Sequence, residues 1–478
     1  VGRYPGRTDG LGVVLKVNGK VDASDVGDMP TQVLSGLLPV LLHQSPRDAL
    51  VIGYGSGVTP GALLQADLRS VEVAEVEAAI YEAARAHFSH VNHRPFADPR
   101  ARLYVDDGRN HLLLSAHSYD LIISEPSNPW MSGAASLFTL EFFEIAKRRL
   151  RPGGIFLQWL QLYELSADSI HTLVRTFHAA FPHVLIFTPD PHSNDTFLLG
   201  SLEPLRVRRE DVEELLRAPK VAAELKRARV ETPEDLIGLF FTDETRISEV
   251  VGPGPLNTDD NARVEFAAPR DLLEFGTRDA HVPFRDRARG HRRRLIEGAF
   301  EGFSTDSEAL ARRAERLLRQ GRRADARDHL EAARNRGADV VGALRVLDAL
   351  EGPDDQPVVV ADPSIQGHLA YAEAVVAMLR GDHRQALALV ETDSDRRWVD
   401  QPGHAFLRAY LKYREGETYE AIQIFDHLVA AEPFVAAHPE VLFYAARAHA
   451  DFHQWSEATD LMFRWELAGA SLDVDALP

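Results

Sequence analysis

The chain has 478 residues, 45% of them hydrophobic, and a formal net charge of −19. That length calls for two or three domains, and the acidic balance argues against nucleic acid as a main partner, because phosphate binding needs a basic face. With no cysteine, disulfides, thiolate metal sites and cysteine nucleophiles are excluded.

No apolar run reaches membrane-spanning length, and no signal peptide is visible. The first predicted element is an alternating strand over 13–17 that turns at Asn18-Gly19 into a returning strand. Asn-Gly favours the left-handed turn of a two-residue hairpin. A helix is predicted over about 30–43. Residues 49–52 form a short buried strand that runs into Gly53-Tyr54-Gly55-Ser56-Gly57, with a helix over 59–66. Further strands are predicted at 71–75, 102–105, 119–124 and 155–159, and near 184–188 and 196–200. Helices fall at 78–88, 140–150 and 167–181. Strands alternating with helices of this length predict an α/β domain with a mostly parallel, doubly wound sheet. The charged stretch after 200 reads as helical, with a turn at Asn257-Thr258-Asp259-Asp260. It either packs beside the sheet or serves as a connector.

From about 305 the period changes. Gly381 and Ala386 are five residues apart, as are Gly416 and Ala421, and Gly321 and Ala326. His453 and Ala458 keep the spacing with the glycine lost. Each pair sits between two amphipathic segments. Glycine allows the tight turn and alanine lets the next helix approach, so stacked helical hairpins of the tetratricopeptide type are expected, with a plain helical bundle as the bland alternative. The stretch at 352–363, rich in Pro and Asp, lengthens the first interval. The expected organisation is therefore an N-terminal hairpin region over 1–45, a Rossmann-like domain over 46–200, a mixed helical extension over 201–300 and an all-α repeat domain over 301–478.

Strand, glycine-rich turn and helix together let a backbone approach a ligand closely. Two carboxylates support a ligand role for Gly53, Gly55, Ser56 and Gly57. Glu75 ends the next strand, where a carboxylate can accept both hydroxyls of a ribose. Asp107 follows the third strand, where it either accepts from an adenine amine or caps the next helix; Asp106 rivals it for both tasks. Together these features point to an adenosine-containing cofactor. The compact G-x-G-x-G register favours an S-adenosyl ligand over a dinucleotide. The loop "SEPSNPWMSG" then leaves a core strand and presents Glu125, Asn128 and Trp130, with Pro126 and Pro129 restricting its backbone. Glu125 is a candidate base or a surface carboxylate. Trp130 is either a cation–π wall for an amine or an apolar lid. The histidines are scattered; His90 and His93 come nearest to a pair, and no metal site is expected.

Over roughly residues 13–275 the chain resembles the spermidine synthase (polyamine aminopropyltransferase) family, in its bacterial branch often fused to membrane segments. The resemblance rests on the order and spacing of "LKVNGKVDAS", "GDMPTQ", "VIGYGSG", "VEVAEVEAA", "YVDDGRN", "YDLIISEPSNPW" and "LNTDDNARVEFAAPR". It implies an N-terminal β-hairpin domain before a Rossmann-like domain. It also implies transfer of an aminopropyl group from decarboxylated S-adenosylmethionine to an amine, with no metal. By position Glu125 matches the acid that helps deprotonate the amine, and Asn128 stands where a second acid is usual. Gln158 falls near a family glutamine on the fifth strand and Gln32 in the block that covers the substrate from the N-terminal side, while Glu75 matches the ribose-binding acid and Asp107 the acid near adenine. Ser56 replaces the usual aspartate of the glycine loop, and Asp22 a usual glutamine. These departures leave intact S-adenosylmethionine, and hence methyl transfer, as an alternative; a non-catalytic nucleoside sensor that signals through the repeats is another. The expected partners are a small cationic amine and a protein bound by the repeats, with a homodimer allowed for. The resemblance further implies a cytoplasmic location with membrane attachment ahead of Val1.

Overall fold

The computed structural model describes residues 2–5, 11–17, 19–25, 28–131, 133–189, 195–275, 296, 298–319, 323–341, 343–344, 347, 369–379, 381–392, 402–431, 435, 440–454, 457–458, 460–461 and 464. Contacts divide the chain into two compact units, the first containing Gly12–Phe303 and the second Ser304–Pro478.

In the first unit, β1 (Gly2–Pro5), β2 (Leu11–Val17) and β3 (Lys20–Ser24) form a small sheet in that order. Val17 pairs with Lys20 across the turn, and Gly19 takes φ +89°, as the hairpin turn requires. Asn18, the other turn residue of the predicted hairpin, lies outside the described residues. Helix α1 (Met29–Leu42) follows, with Pro30 in its first turn, where a missing N–H does no harm. It is buried from Val33 to Leu42. Gly36 permits the close crossing of the next helix, α2 (Val58–Leu63): a Cβ there would lie 2.8 Å from the Thr59 carbonyl oxygen.

The main sheet is built from β4 (Asp48–Ile52), β5 (Ser70–Glu75), β6 (Ala101–Val105), β7 (Tyr119–Ser124), β8 (Leu150–Gln161), β9 (His183–Phe187), β10 (Asp195–Ser201) and, after the two-residue β11 (Val207–Arg208), β12 (Phe240–Asp243). Its order is β12-β9-β10-β8-β7-β4-β5-β6. Five strands, β6-β5-β4-β7-β8, run parallel. Strand β10 lies antiparallel between β8 and β9, and β12 is antiparallel to β9. The sheet is thus mixed at one side rather than mostly parallel throughout. The link between β9 and β10 is too short for a crossover helix, so they must form a hairpin.

Alternate residues of β4 feed two cores. Ala49 and Val51 join α1 and α2 on one face, while Leu50 and Ile52 face Phe142, Phe156 and Phe177 on the other. A strand covered on both sides reads as a continuous apolar run, which is why these strands were legible in the sequence. The helices α3 (Ala78–His87), α4 (Gly108–Leu114), α5 (Leu140–Arg149) and α6 (Ala167–Ala180) fall close to expectation. The stretch after 200 packs on the sheet: Val212, Val221 and Leu236 join the first core, and Ile247, Val250 and Val264 the second. Asn257 is 1% exposed and anchors that stretch, donating to the Phe138 carbonyl at 3.0 Å and accepting from Val264 N–H at 3.0 Å.

The second unit consists of helical hairpins. Ser307–Arg319 packs on Arg323–Asn335, Leu369–Leu379 on His383–Thr392, and Pro402–Arg414 on Thr418–Val429, which also meets Glu440–Asp451. Gly381 and Gly416 take φ +77° and +87° at their turns. Ala326, Ala386 and Ala421 are fully buried where the helices cross. His453 adopts φ +61° in the place of the lost glycine. Gly321 and the stretch at 352–363 lie outside the described residues.

Candidate functional site

Strand β4 sits between β5 and β7, so the chain leaves it toward one side of the sheet and returns on the other. The carboxyl ends of β4 and β7 therefore flank the crevice where open α/β sheets bind ligands. The turn after β4 lines it. Gly53, Gly55 and Gly57 take φ +92°, +50° and +80°, a region that side chains disfavour. At Gly53 the need is double, because a Cβ would lie 2.4 Å from the Glu125 carbonyl oxygen. The two loops can touch only if residue 53 has no side chain.

The turn is tied to both neighbours. Tyr54 N–H donates to Glu75 Oε2 at 2.9 Å, and Glu77 N–H to Glu75 Oε1 at 3.0 Å. Burial pushes the Glu75 carboxyl up, while these backbone donors pull it down. The Ser56 hydroxyl donates to Gln32 Oε1, and Gln32 Nε2 donates to the Ser24 carbonyl at 2.9 Å. The Gln32 amide thus stitches the hairpin and α1 to the glycine turn. Asp107 stands apart from this web. Its Oδ1 accepts from Asn110 N–H at 2.8 Å and caps α4, while Asp106 faces His111 Nδ1 at 3.2 Å.

Glu125 leaves β7 with its N–H bonded to the Ile52 carbonyl at 2.9 Å. Burial lifts its carboxyl to about 7; the Ser35 and Thr59 hydroxyls beside it oppose the shift, and the Asp195 charge adds to it. Burial also lifts Asp195 to about 6, although the Thr31 hydroxyl donates to it at 3.0 Å. Two carboxyls raised toward neutrality thus feel each other's charge, an arrangement suited to proton transfer. Behind them Gln158 is fully buried opposite Ser124. Its Nε2 donates to the Trp159 carbonyl at 3.0 Å, while its Oε1 and the Ser124 hydroxyl find no hydrogen-bond partner among the described residues.

Asn128 is 1% exposed. Its Oδ1 accepts from Lys20 Nζ at 2.6 Å, and the same ammonium reaches Tyr163 Oη at 3.2 Å. The Trp130 ring packs edge-on to Tyr163, centroids 6.4 Å apart. Ser127 donates to Asp22 Oδ2 at 2.9 Å, hooking the loop to β3.

Sequence reasoning missed Lys20, Tyr163 and Asp195. Tyr163 follows the carboxyl end of β8, a position that could have been read. Asp195 starts an antiparallel strand, so its amino end lies at the edge where the parallel strands end. Treating the sheet as mostly parallel hid that. His90 and His93 pair separately with Asp25 and Glu224. Among the described residues no group of three His, Cys, Asp or Glu is arranged to hold a metal, and no helix is long and apolar enough to cross a membrane.

The model for the Spermine/spermidine synthase domain matches residues 32–190. Polyamine aminopropyltransferase 2 of Pseudomonas aeruginosa is 29% identical over 279 residues, covering 56% of this chain and 78% of that protein. Polyamine aminopropyltransferase 2 of Hyperthermus butylicus is 30% identical over 249 residues, covering 50% of this chain and 81% of that protein. The solved spermidine synthase from Thermotoga maritima aligns at 22% identity with a TM-score of 0.36, covering 42% of this chain and 72% of that one. A score that low carries no weight here, and the relatedness rests on sequence. The matched blocks contain the glycine turn, Glu75 and the Glu125 loop, and on that basis the chain belongs to the polyamine aminopropyltransferase family, a family of transferases.

Proposed function

We propose that this chain transfers an aminopropyl group from decarboxylated S-adenosylmethionine to a small amine. The observation that carries the proposal is Glu125: a carboxyl lifted to about 7 by burial, on a loop at the switch point whose backbone meets the glycine turn. The co-substrate supplies a sulfonium whose C–S bond breaks toward sulfur as the amine lone pair forms the new C–N bond, so methylthioadenosine leaves. The protein's tasks are alignment and proton removal. Gly53, Gly55 and Gly57 let the adenosyl part approach the backbone, and Glu75 faces the ribose. Asp107, whose Oδ1 caps α4, has a second oxygen left to accept from the adenine amine. Glu125 takes the amine proton, with Asp195 beside it holding the incoming cation. Gln32 fixes the wall between hairpin and glycine turn. Asn128, Trp130 and Gln158 shape the acceptor side.

Mass spectrometry after incubation with the co-substrate and a panel of amines tests this. Methylthioadenosine together with an aminopropylated amine is the expected result. Tight binding of the nucleoside without product from any amine would favour a sensor instead.

A second reading has one observation in its favour. Ser56 gives its hydroxyl to Gln32, so that loop offers no carboxylate to hold a cofactor amino group. Intact S-adenosylmethionine, which carries its own carboxylate, is then less repelled, and methyl transfer becomes the competing activity. Calorimetry with both sulfonium compounds separates the two: binding of the intact form alone would sink aminopropyl transfer. The second unit we read as tetratricopeptide-like repeats that bind a protein partner, given the Gly-x4-Ala spacing and its buried alanines. The resemblance to the membrane-fused branch further suggests a cytoplasmic face of a membrane as its place, which fractionation would test.

A further inference from the structure

Strand β8 ends on an unpaired amide. Gln161 is fully buried, and neither its Oε1 nor its Nε2 has a hydrogen-bond partner. Among the described residues no other buried side chain has two polar atoms both without a partner. Buried amides are ordinarily paired, because an unpaired donor or acceptor forfeits its hydration. The strand register tells what lies beside this one. Asp195 of β10 is the direct antiparallel partner of Gln161, so the two side chains leave the same face of the sheet. Leu157 and Phe197, which share that face by alternation, pack in the core with α1. The Thr31 hydroxyl of α1 donates to Asp195 Oδ2 at 3.0 Å, and one turn on the Ser35 hydroxyl lies beside Glu125. Strand β8 also runs on past its pairing of Gln158 with Ser124, so Gln161 stands beyond the end of β7, where the Glu125 loop leaves the sheet.

We propose that Gln161 is an acceptor-binding residue, whose amide oxygen accepts an N–H of the amine that Asp195 draws in. The inference rests on the aminopropyl-transfer reading above. A carboxylate attracts a cation from any direction. An ammonium has three hydrogens to place, and a neutral amide oxygen fixes one of them without adding charge. The same amide can donate through Nε2 to the ionised Asp195, so one side chain orients both the acid and its guest. Packing alone does not ask for an amide here, since Leu157 and Trp159, its neighbours on that face of β8, are apolar. An amide buried there without a partner costs stability, and a guest N–H relieves that cost.

The test titrates n-butylamine, 1,3-diaminopropane and 1,4-diaminobutane calorimetrically into the full chain with methylthioadenosine present. The wild type is compared with Gln161→Met, which keeps the length of the side chain and removes the amide. The amine that the wild type binds best should bind the variant at least about tenfold more weakly. Methylthioadenosine affinity should stay within about threefold of wild type, and the melting temperature should not fall, because no paired group has been lost. Gln161→Leu gives the same pattern if Gln161→Met fails to fold. A smaller loss of amine affinity overturns the proposal. A lower melting temperature overturns it as well, by making the amide a structural group, and so does a larger fall in methylthioadenosine affinity, which reports a general distortion. Binding of none of the amines by the wild type overturns it too. Because binding is the readout, the expected loss in a protein that makes no aminopropylated product would count against the reaction and leave Gln161 standing. Product formed by the variant with unchanged KM for the amine would do the reverse.

Discussion

At the scale of single residues, the site is governed by what burial does to acids. Glu125 and Asp195 are both raised toward neutrality, so each holds a proton where a free carboxyl would not. For the proposed transfer this means that the base form of Glu125 accumulates only as pH approaches 7. The rate of transfer should climb with pH up to about 7 and then level. Glu125→Gln should remove that limb and lower the rate by about 10²–10⁴-fold, as pH–rate profiles of both proteins would record. Stability should move the other way. An acid whose folded pKa is raised contributes most below its unfolded pKa, near 4.5, and that contribution falls away as pH rises to about 7. Glutamine has no charge to bury. Glu125→Gln should therefore be more stable than wild type at pH 8 by about 2 kcal/mol, allowing for partial solvent contact, and nearly equal to it at pH 4. Denaturant melts at the two pH values would show whether the gap opens.

Single elements carry the next level of the argument. The N-terminal hairpin is small, yet Lys20, Asp22 and Ser24 on β3 each touch the surroundings of the candidate site, through Asn128, Ser127 and Gln32 respectively. In the second unit the helical hairpins turn through left-handed residues. Gly381 and Gly416 adopt that conformation freely, whereas His453 adopts it at φ +61° against a steric cost of about 1 kcal/mol. His453→Gly should stabilise the second unit by that amount, a rise in its melting temperature of about 2–4 °C. A drop in calorimetry would mean that the imidazole contributes more than its backbone strain takes away.

Across the whole molecule, each unit has its own buried clusters: two large ones around the sheet in the first, and separate helical ones in the second. Calorimetry should resolve two transitions. Methylthioadenosine should raise only the one belonging to the first unit, because a ligand stabilises the fold that binds it. A rise in both would show that the units melt together.

How much of this was legible in the sequence follows from how far each signal reaches along the chain. Strand-by-strand apolar runs, the glycine turn after residues 49–52, and Gly-x4-Ala at helix crossings are local patterns. Local sterics and burial fix them, so the α/β class, the helix positions and the loop at 125–130 could be read directly. Asp107 shows where that stops: its spacing allowed cap or ligand, and only the structure puts its Oδ1 on the Asn110 N–H. The reversed direction of β10, the Asp195 carboxyl beside Glu125, and the Lys20 ammonium among Asn128, Trp130 and Tyr163 depend on residues distant in the sequence meeting in space. By itself the sequence determined the fold class and the family, because those rest on short-range periodicity and ordered motifs. Only the tertiary structure decided which charges meet around Asn128 and Glu125, because that is set by which distant side chains folding brings together.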